Sequence, residues 1–401
     1  MTAPTLFDHL AATAGLGAAY LILALAVLRS RLPFVSQQTA FAALNMCACY
    51  LMFFRGTPNG PASFGALLGI AVVQLSVLHF TRGKADAVRI HWAAALLPIV
   101  FLVAIKTVSP FAIIGASYMA FRMTQAALEL RALPELKIGV PQYLAFLFFP
   151  PTITAGPISP YSYYAETIDG SSFNRRNFTE GIFRIATGCI KAQFLAVMIQ
   201  QITGNSLWTT SFENNFFDYA VGGMAYYLYL YLSFSGYSDV AVGAGAILGL
   251  KIKENFDRPL MATTIQDFWS RWHMSLTHFV RDTLFNPISM TLARWLGMRW
   301  MSVAVLGATV PLFLILALWH GTAPGYFIFY SLHALAFSLS FLWDQHKKKL
   351  GRDKYREYKN DPWTKAIGRI STFAFLSLTC PFLEFPQSAQ IQNLVAMLHK
   401  F

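Results

Sequence analysis

Long apolar runs without a single Asp, Glu, Lys or Arg dominate this chain of 401 residues. Most of them approach or exceed about 18 residues, the length at which a helix can cross the hydrocarbon core of a bilayer. The pattern predicts roughly ten to twelve hydrophobic helices, about eleven of them transmembrane or re-entrant. The runs cover residues 9–28, 37–54, 56–81, 90–105, 107–121, 139–165, 192–212, 219–238, 300–343 (enough for two spans) and 370–383.

The chain divides into an apolar first part and a second part with more polar, Gly and Pro residues. We predict one all-α integral membrane domain, in which residues 1–106 are scaffold helices and residues 107–385 form the catalytic core. In the second part, the stretch 149–157 contains three prolines and cannot be one regular helix, because proline removes a donor and clashes with the preceding turn. Irregular backbone is tolerated at membrane depth only inside protein or beside a water-filled cavity. The stretch is therefore either a cavity wall or a loop outside the bilayer.

The composition is that of a membrane protein. Charged residues make up 12% of the chain, against about 25% in soluble proteins. The net charge of +12 would suit a nucleic-acid-binding protein, but no basic helix or aromatic–basic module is present. The basic residues instead cluster in short loops, as the positive-inside rule requires. The clearest clusters are Arg29 with Arg31, Arg82 with Lys84 and Arg89, and the segment 346–365, which we place in the cytoplasm.

Two histidines lie in apolar surroundings. His320 lies inside the charge-free run 300–343, and His273 lies in the string Asp267-Phe-Trp-Ser-Arg-Trp-His-Met-Ser275. An ionisable side chain at membrane depth is costly, so by default it marks a functional site. Each could instead be a core histidine bonded to a carbonyl group, and metal binding is weakly supported because no carboxylate or thiolate is in register. Their joint occurrence, each beside a tryptophan, favours proton-transfer chemistry.

Residues 265–282 have the pattern of one amphipathic helix that lies along an interface or in a crevice. On a helical wheel, His273 falls on the apolar face, opposite a polar stripe. The stripe consists of Arg271, Ser275, His278 and Asp282, and the apolar face also carries Trp269, Leu276 and Val280.

A neutral imidazole is suited to acyl transfer, because its pKa near working pH lets it take the proton of a hydroxyl group that attacks a thioester. Burial disfavours the imidazolium and keeps the base free. The developing oxyanion needs hydrogen-bond donors, which a second His, an Asn or backbone N–H groups can provide. No Gly-x-Ser-x-Gly elbow accompanies either histidine, so direct transfer is the simpler mechanism.

Several motifs between about Leu97 and Glu384 resemble the membrane-bound O-acyltransferase (MBOAT) family. The two that contain histidine, Asp267-Phe-Trp-Ser-Arg-Trp-His-Met-Ser-Leu276 and Leu318-Trp-His-Gly321, are highly specific in combination. The resemblance is strongest to the DltB-like branch, which transfers D-alanine in teichoic acid modification. Further motifs are Gly115-Ala-Ser-Tyr-Met-Ala-Phe-Arg122, Phe148-Phe-Pro-Pro-Thr-Ile-Thr-Ala-Gly-Pro-Ile158, Glu254-Asn-Phe-Asp-Arg-Pro259 and Trp363-Thr-Lys-Ala-Ile-Gly368.

The resemblance implies a cell-membrane protein with a ring of helices around a thin centre, crossed by a tunnel. It implies His320 as the catalytic residue and His273 as its partner. The implied donor is a D-alanyl thioester on the 4′-phosphopantetheine of a cytoplasmic carrier protein, with no bound cofactor or metal. The implied acceptor is a hydroxyl group of an envelope polymer, reached with an extracytoplasmic partner acyltransferase. Candidate tunnel or substrate-binding residues are Asn255, Asp267, Trp269, Arg271, Trp272, Ser275, Trp319, Ser235, Tyr237 and Asp239.

Two strings depart from the DltB-like pattern and leave the acyl group open. Phe234-Ser-Gly-Tyr-Ser-Asp239 is more similar to the alginate O-acetyltransferase branch, and Ile158-Ser-Pro160 replaces the Ile-Asp-Arg of many DltB-like sequences. The alternative is an O-acetyltransferase of a polysaccharide or peptidoglycan, with acetyl-CoA as donor. A transporter with a histidine proton relay and a structural scaffold are further hypotheses, and a transporter would be expected to show an internal repeat, which is not evident.

Overall fold

A computed structural model describes residues 6–81, 88–107, 113–133, 135–168, 174–202 and 216–398. Within these ranges the chain is helical and forms no strand, which confirms the all-α class. Among the described residues, six helices are long and apolar enough to cross a bilayer, so this is a multi-pass membrane protein. They are Gly60–Thr81, Arg89–Lys106, Arg175–Gln201, Met298–His320, Pro324–Lys348 and Pro362–Glu384.

The chain forms two compact units, residues 1–192 with 234–254 and residues 193–233 with 255–401. The first unit contains α1 (Leu6–Leu28), α2 (Phe34–Cys49), α3 (Gly60–Thr81), α4 (Val88–Thr107), α5 (Ala116–Ala132), α6 (Val140–Leu147), α7 (Tyr161–Ala165) and α8 (Arg175–Cys189). The second contains α9 (Ala196–Ile202), and α10 (Phe216–Leu248) contributes to both. The second unit continues with α11 (Ile265–Arg271), α12 (Met274–Val280), α13 (Asn286–Leu296), α14 (Met301–His320), α15 (Pro324–Lys348), α16 (Arg352–Asn360), α17 (Pro362–Thr379), α18 (Pro381–Glu384) and α19 (Ser388–Leu398).

The apolar runs become helices except where proline or glycine interrupts them. The run 300–343 is divided between α14 and α15, as predicted from its length. The run 139–165 is broken: α6 ends at Leu147, a short 3-10 turn covers Pro150–Thr152, and α7 begins only at Tyr161. The proline-rich stretch 149–157 is therefore irregular, as predicted, and most of its side chains are buried in the first unit. Arg82 and Lys84 of the predicted basic cluster lie outside the described residues.

Buried amide side chains join the helices of the first unit. Asn45 donates from Nδ2 to the carbonyl oxygen of Ala145 at 2.9 Å, and Gln74 donates from Nε2 to the carbonyl oxygen of Ala94 at 2.8 Å. Polar groups removed from water are stable only when such partners replace their hydration. These bonds fix the positions of α2 and α3 against their neighbours.

In the first unit, α8 and the final turns of α10 touch backbone to backbone. A Cβ atom on Gly188 would lie 2.5 Å from the carbonyl oxygen of Gly236, and one on Gly181 would lie 2.7 Å from that of Gly243. Small residues allow membrane helices to approach this closely. We call these four residues the glycine contact.

An ion-pair cluster lies beside the glycine contact. Asp239 on α10 accepts a hydrogen bond from Arg184 Nε at 3.0 Å and one from Lys191 Nζ at 2.6 Å. Arg184 also donates to Glu254 at 2.6 Å. Two cations and two carboxylates thus neutralise one another, which lowers the cost of placing charge on an apolar helix.

In the second unit, the first turns of α10 pack on α17, and the chain after α17 packs on the start of α15. Gly223 approaches α17 so closely that a Cβ atom would lie 1.9 Å from the carbonyl oxygen of Ser377. The N–H of Gly325 donates to the carbonyl oxygen of Pro386 at 2.9 Å. These contacts place the end of α17 and α18 next to the turn that follows His320.

Candidate active site

The predicted continuous helix over 265–282 is wrong, because the backbone breaks at His273. α11 ends at Arg271, Trp272 is extended, and His273 adopts φ 45° and ψ 50° before α12 begins at Met274. A left-handed conformation costs a residue with a Cβ atom about 1–2 kcal/mol. It persists only where the surroundings impose it. The side chain of His273 is buried, with 6% of its surface exposed.

Asn255 imposes this turn from the segment before α11. Its carbonyl oxygen accepts from the N–H of Met274 at 2.8 Å, and its side-chain oxygen accepts from the hydroxyl group of Ser275. Asn255 and Ser275 are both buried. The two candidates therefore hold the backbone on the C-terminal side of His273.

Asp267 and Arg271 brace α11 against the same preceding segment. Arg271 donates from Nε to Asp267 at 2.7 Å, and the carboxylate of Asp267 also accepts from the N–H of Thr263 at 3.0 Å. The carbonyl oxygen of Arg271 accepts from the N–H of Asp257 at 3.0 Å. Their polar groups thus have partners in the fold, on the N-terminal side of the His273 turn.

Trp272 anchors the turn in a cluster of aromatic rings. Its indole stacks on Phe268 with ring centroids 5.5 Å apart and meets Phe256 edge-on at 5.1 Å. Tyr227 of α10 adds a contact at 5.6 Å. Aromatic packing of this kind fixes the direction in which the adjacent His273 leaves the backbone.

His320 is the last residue of α14 and is exposed. Its imidazole packs against the indole of Trp319 at 4.6 Å and lies between Tyr330 at 5.3 Å and Tyr326 at 5.8 Å. Gly321 follows directly, and a Cβ atom there would lie 2.9 Å from the ring of Tyr326. The glycine after His320 therefore gives the tyrosine room beside the imidazole.

The two predicted catalytic histidines lie within electrostatic range of each other in the second unit. Burial, with a smaller contribution from His320, lowers the pKa of His273 to about 3. Both influences act against a positive charge, burial by removing water and His320 by repulsion when protonated. His273 is thus a neutral imidazole at physiological pH.

A third histidine, His333 on α15, is one that we did not single out from the sequence. It is fully buried, and its Nδ1 atom accepts from Trp269 Nε1 at 3.2 Å. Its Nε2 atom lies 3.2 Å from the hydroxyl oxygen of Thr379, which itself donates to the carbonyl oxygen of Phe375. The proton of His333 therefore resides on Nε2. His333 lies in the same charge-free run 300–343 as His320, so the rule that an ionisable residue at membrane depth marks a functional site would have singled out His333 as well.

Trp269 connects His333 to the surroundings of His320. Its indole packs edge-on against Phe313 at 5.6 Å and lies 6.3 Å from Tyr330, the ring that also packs against His320. A tryptophan with one polar atom usually finds a hydrogen-bond partner when buried. The bond to His333 thus fixes a ring in the wall of the candidate site.

Three candidates belong to the first unit and have contacts there. Tyr237 shares a hydrogen bond with Thr154 of the proline-rich stretch, Asp239 belongs to the ion-pair cluster, and Ser235 is buried. The bond of Tyr237 ties an irregular segment to a regular helix.

A cleft of about 840 Å³ opens in the second unit, lined by α11, α15, α16 and α17. It is lined by two cations, Lys359 and Lys365, by two carboxylates, Asp267 and Asp344, and by the rings of Trp343 and Tyr358. The carboxylates pair with Arg271, Lys348 and Lys359, which leaves Lys365 as the cation that can attract an anionic group. Among the residues that the structure describes, no three His, Cys, Asp or Glu side chains form a group that could hold a metal ion.

Residues 76–382 match the sequence profile of the membrane-bound O-acyltransferase family. The chain is 30% identical over 283 residues to the teichoic acid D-alanyltransferase of Bacillus subtilis (strain 168), covering 66% of each protein. A Streptococcus thermophilus protein of the same name is 27% identical over 315 residues, 74% of each. The probable alginate O-acetylase AlgI of Pseudomonas fluorescens is 27% identical over 281 residues, 70% of this chain and 51% of that protein. The chain thus spans about two thirds of the first relative's length and about half of the acetylase's.

Proposed function

The chain belongs to the membrane-bound O-acyltransferase family, and from this premise we propose that it moves a D-alanyl group from a carrier-protein thioester across the membrane to a hydroxyl group of an envelope polymer. The observation that carries the proposal is the arrangement of the two histidines. An exposed imidazole ends an apolar span, and a buried, neutral imidazole lies within electrostatic range of it. The two relatives named teichoic acid D-alanyltransferase support the choice of acyl group.

His320 acts as the general base in the proposed reaction. Its imidazole takes the proton of the acceptor hydroxyl group while the oxygen attacks the thioester carbonyl carbon. The C–S bond of the tetrahedral intermediate then breaks, and the imidazolium returns the proton to the departing thiolate. The products are an ester and a free thiol, so the step balances with donor and acceptor alone.

His273 supports this base without competing with it. A neutral imidazole can donate one hydrogen bond to the developing oxyanion. A charged one beside His320 would lower the basicity of His320, because like charges disfavour protonation. The strained turn at His273, held by Asn255, keeps this group in a fixed position.

The donor reaches the site from the cytoplasmic face, where the basic segment 346–365 lies. The phosphate of 4′-phosphopantetheine is an anion, and Lys365 lines the cleft next to α11, where the other lining lysine, Lys359, is paired with Asp344. A cleft of about 840 Å³ is large enough for an extended organic arm. A carrier protein that presents such an arm is the proposed partner, and a separate extracytoplasmic acyltransferase is the proposed acceptor-side partner.

A second candidate function is transfer of an acetyl group to a polysaccharide or peptidoglycan. The similarity of the Phe234–Asp239 string to the acetylase branch favours it, as do relatives such as the probable alginate O-acetylase and a Helicobacter pylori peptidoglycan O-acetyltransferase, 28% identical over 256 residues. The chain covers 43% of that last protein. The histidine chemistry is the same for both acyl groups.

Analysis of envelope esters tests the proposal. Cell envelopes with wild-type chain, His320→Ala or His79→Ala are compared at equal membrane abundance for D-alanine and acetate released by mild base. His79 is an exposed histidine in the last turn of α3, in the first unit, and provides a matched control. We expect D-alanine esters to disappear in His320→Ala alone. If acetate esters disappeared instead, the transferred group would be acetyl and not D-alanyl. If the amounts of both esters were unchanged, catalysis by His320 on these two acyl groups would be refuted.

A further inference from the structure

Glu384 is a carboxyl group in the second unit that the mechanism above does not use. It ends α18, and its Oε2 atom is buried and makes no hydrogen bond in the described part of the chain. The ion pairs found there do not include it either. Removing a carboxylate from water is costly unless a cation replaces its hydration. Such a group is suited to a positively charged ligand.

The surroundings of Glu384 adjoin the turn that carries His320. Besides the bond from Gly325 to Pro386, a Cβ atom on Gly325 would lie 2.4 Å from the carbonyl oxygen of Phe382. The segment that contains Glu384 therefore packs directly on the first turn of α15. That turn begins at Pro324, shortly after His320 in the chain.

One tyrosine, Tyr226 of α10, lies within electrostatic range of the carboxyl group. A Cβ atom on Gly223 would lie 3.0 Å from Pro381 Cδ, so the next turn of α10 brings Tyr226 toward Glu384. Glu384 acts electrostatically on the hydroxyl group of Tyr226, as do Tyr229 and Tyr326. The ring of Tyr226 lies 5.9 Å from that of Tyr229.

Tyr326 links this group to the catalytic imidazole. Its ring lies 5.8 Å from that of His320, and its hydroxyl group acts on Tyr226. The carboxyl group, the tyrosines and His320 thus occupy one neighbourhood, in which the faces of aromatic rings attract cations.

We propose that Glu384, with Tyr226 and Tyr326, binds the ammonium group of an aminoacyl donor and thereby selects it over an acetyl donor. The proposal rests on the proposed function, since it assigns the acyl group that His320 transfers. In an α-aminoacyl thioester the ammonium group is attached to the carbon next to the reacting carbonyl. A carboxylate on the segment that packs against the first turn of α15, shortly after His320, is placed to meet the ammonium group when the carbonyl is in place. An acetyl group carries no positive charge, so it leaves the carboxyl group of Glu384 without a cationic partner.

A pair of donors that differ only in this group tests the proposal. Isolated membranes with the full chain are incubated with the radiolabelled D-alanyl or D-lactyl thioester of 4′-phosphopantetheine, and mild-base-labile label in the envelope polymer is counted. D-Lactyl replaces the ammonium group with a neutral hydroxyl group of similar size. We expect the wild type to prefer D-alanyl over D-lactyl by about tenfold to hundredfold, the size of one charged hydrogen bond.

Glu384→Gln keeps the shape of the side chain and removes its charge. We expect it to abolish most of this preference by lowering D-alanyl transfer while leaving D-lactyl transfer within about twofold of wild type. Glu384→Asp, which keeps the charge, should retain the preference, and Glu180→Gln, an exposed residue of α8, should change neither rate. The wild-type preference is measured independently of whether Glu384→Gln folds.

An equal loss of both transfers in Glu384→Gln would show a structural role and overturn the proposal. A wild type that transfers D-alanyl and D-lactyl at equal rates would overturn it as well. Failure of the proposed function has a different signature, because wild-type membranes would then transfer neither label, or transfer of both would survive in His320→Ala.

Discussion

His333→Phe removes one hydrogen bond from the wall of the candidate site while keeping a ring of similar size. His333 is fully buried and accepts from Trp269 at 3.2 Å. Phenylalanine leaves the indole N–H without this acceptor, whereas Thr379 keeps its bond to Phe375 at 3.0 Å. Because an enclosed donor without a partner costs about 1–3 kcal/mol, we expect the free energy of unfolding to fall by an amount in that range.

The double variant Trp269→Phe/His333→Phe removes donor and acceptor together. No polar group is then stranded, so the loss should be smaller than the sum of the two single losses by about 1–2 kcal/mol. Thermal unfolding of the detergent-solubilised chain, compared among wild type, both single variants and the double variant, measures this coupling. Strictly additive losses would refute both the energetic weight of the bond and the tautomer assigned to His333.

Three further predictions concern other parts of the chain. Gly188→Ala should lower the yield of folded protein, because its methyl group would lie 2.5 Å from the carbonyl oxygen of Gly236. Gly69→Ala, whose methyl group would have no atom within 4 Å, should leave the yield unchanged, and equal yields of the two variants in membranes would contradict the glycine contact. Asp239→Asn should destabilise the chain by about 1–3 kcal/mol, measured as a lower apparent melting temperature, since Lys191 loses its carboxylate partner. If Asp239→Asn/Lys191→Gln lost as much stability as Asp239→Asn alone, the ion-pair cluster would not be the cause. The pKa of His273 is about 3 in the folded chain and about 6.5 in the unfolded chain. Between pH 6.5 and pH 3 the unfolded chain therefore binds a proton at His273 that the folded chain does not, so the free energy of unfolding should fall as the pH drops through this range. His273→Gln should flatten the fall in melting temperature between about pH 7.5 and about pH 5, and an unchanged slope would contradict the neutral buried imidazole.

Hydrophobic patterning predicted the helical class and the division of the run 300–343 into two spans, because both follow from the length of apolar segments. It predicted about eleven transmembrane or re-entrant helices, whereas six helices in the described part of the chain have the length and apolarity of a crossing. Apolarity alone does not show where a helix is interrupted. The run 139–165 is as apolar as a span, yet its prolines break it into short pieces.

The histidine turn shows why side-chain periodicity was insufficient at the candidate site. Residues 265–282 have good helical periodicity and no Gly or Pro near His273 that would indicate a break. The break depends on hydrogen bonds that Asn255, distant in sequence, accepts from Met274 and Ser275, and a helical wheel contains no such information. For the same reason, Asn255 and Asp267 were identified by motif alone, and their bracing contacts required the structure.

The ion-pair cluster has a consequence for the order in which the protein is made. Arg184 and Lys191 leave the ribosome 55 and 48 residues ahead of Asp239, and Glu254 follows 70 residues after Arg184. At a synthesis rate of about 5–20 residues per second, Asp239, the carboxylate that both cations share, is made roughly 2–11 s after them. During that interval the apolar span Arg175–Gln201, which begins with α8, carries both cations without their carboxylate partner, and its insertion into lipid is costly. Stable insertion of α8 therefore depends on the arrival of α10, which makes these two helices a single unit of membrane assembly.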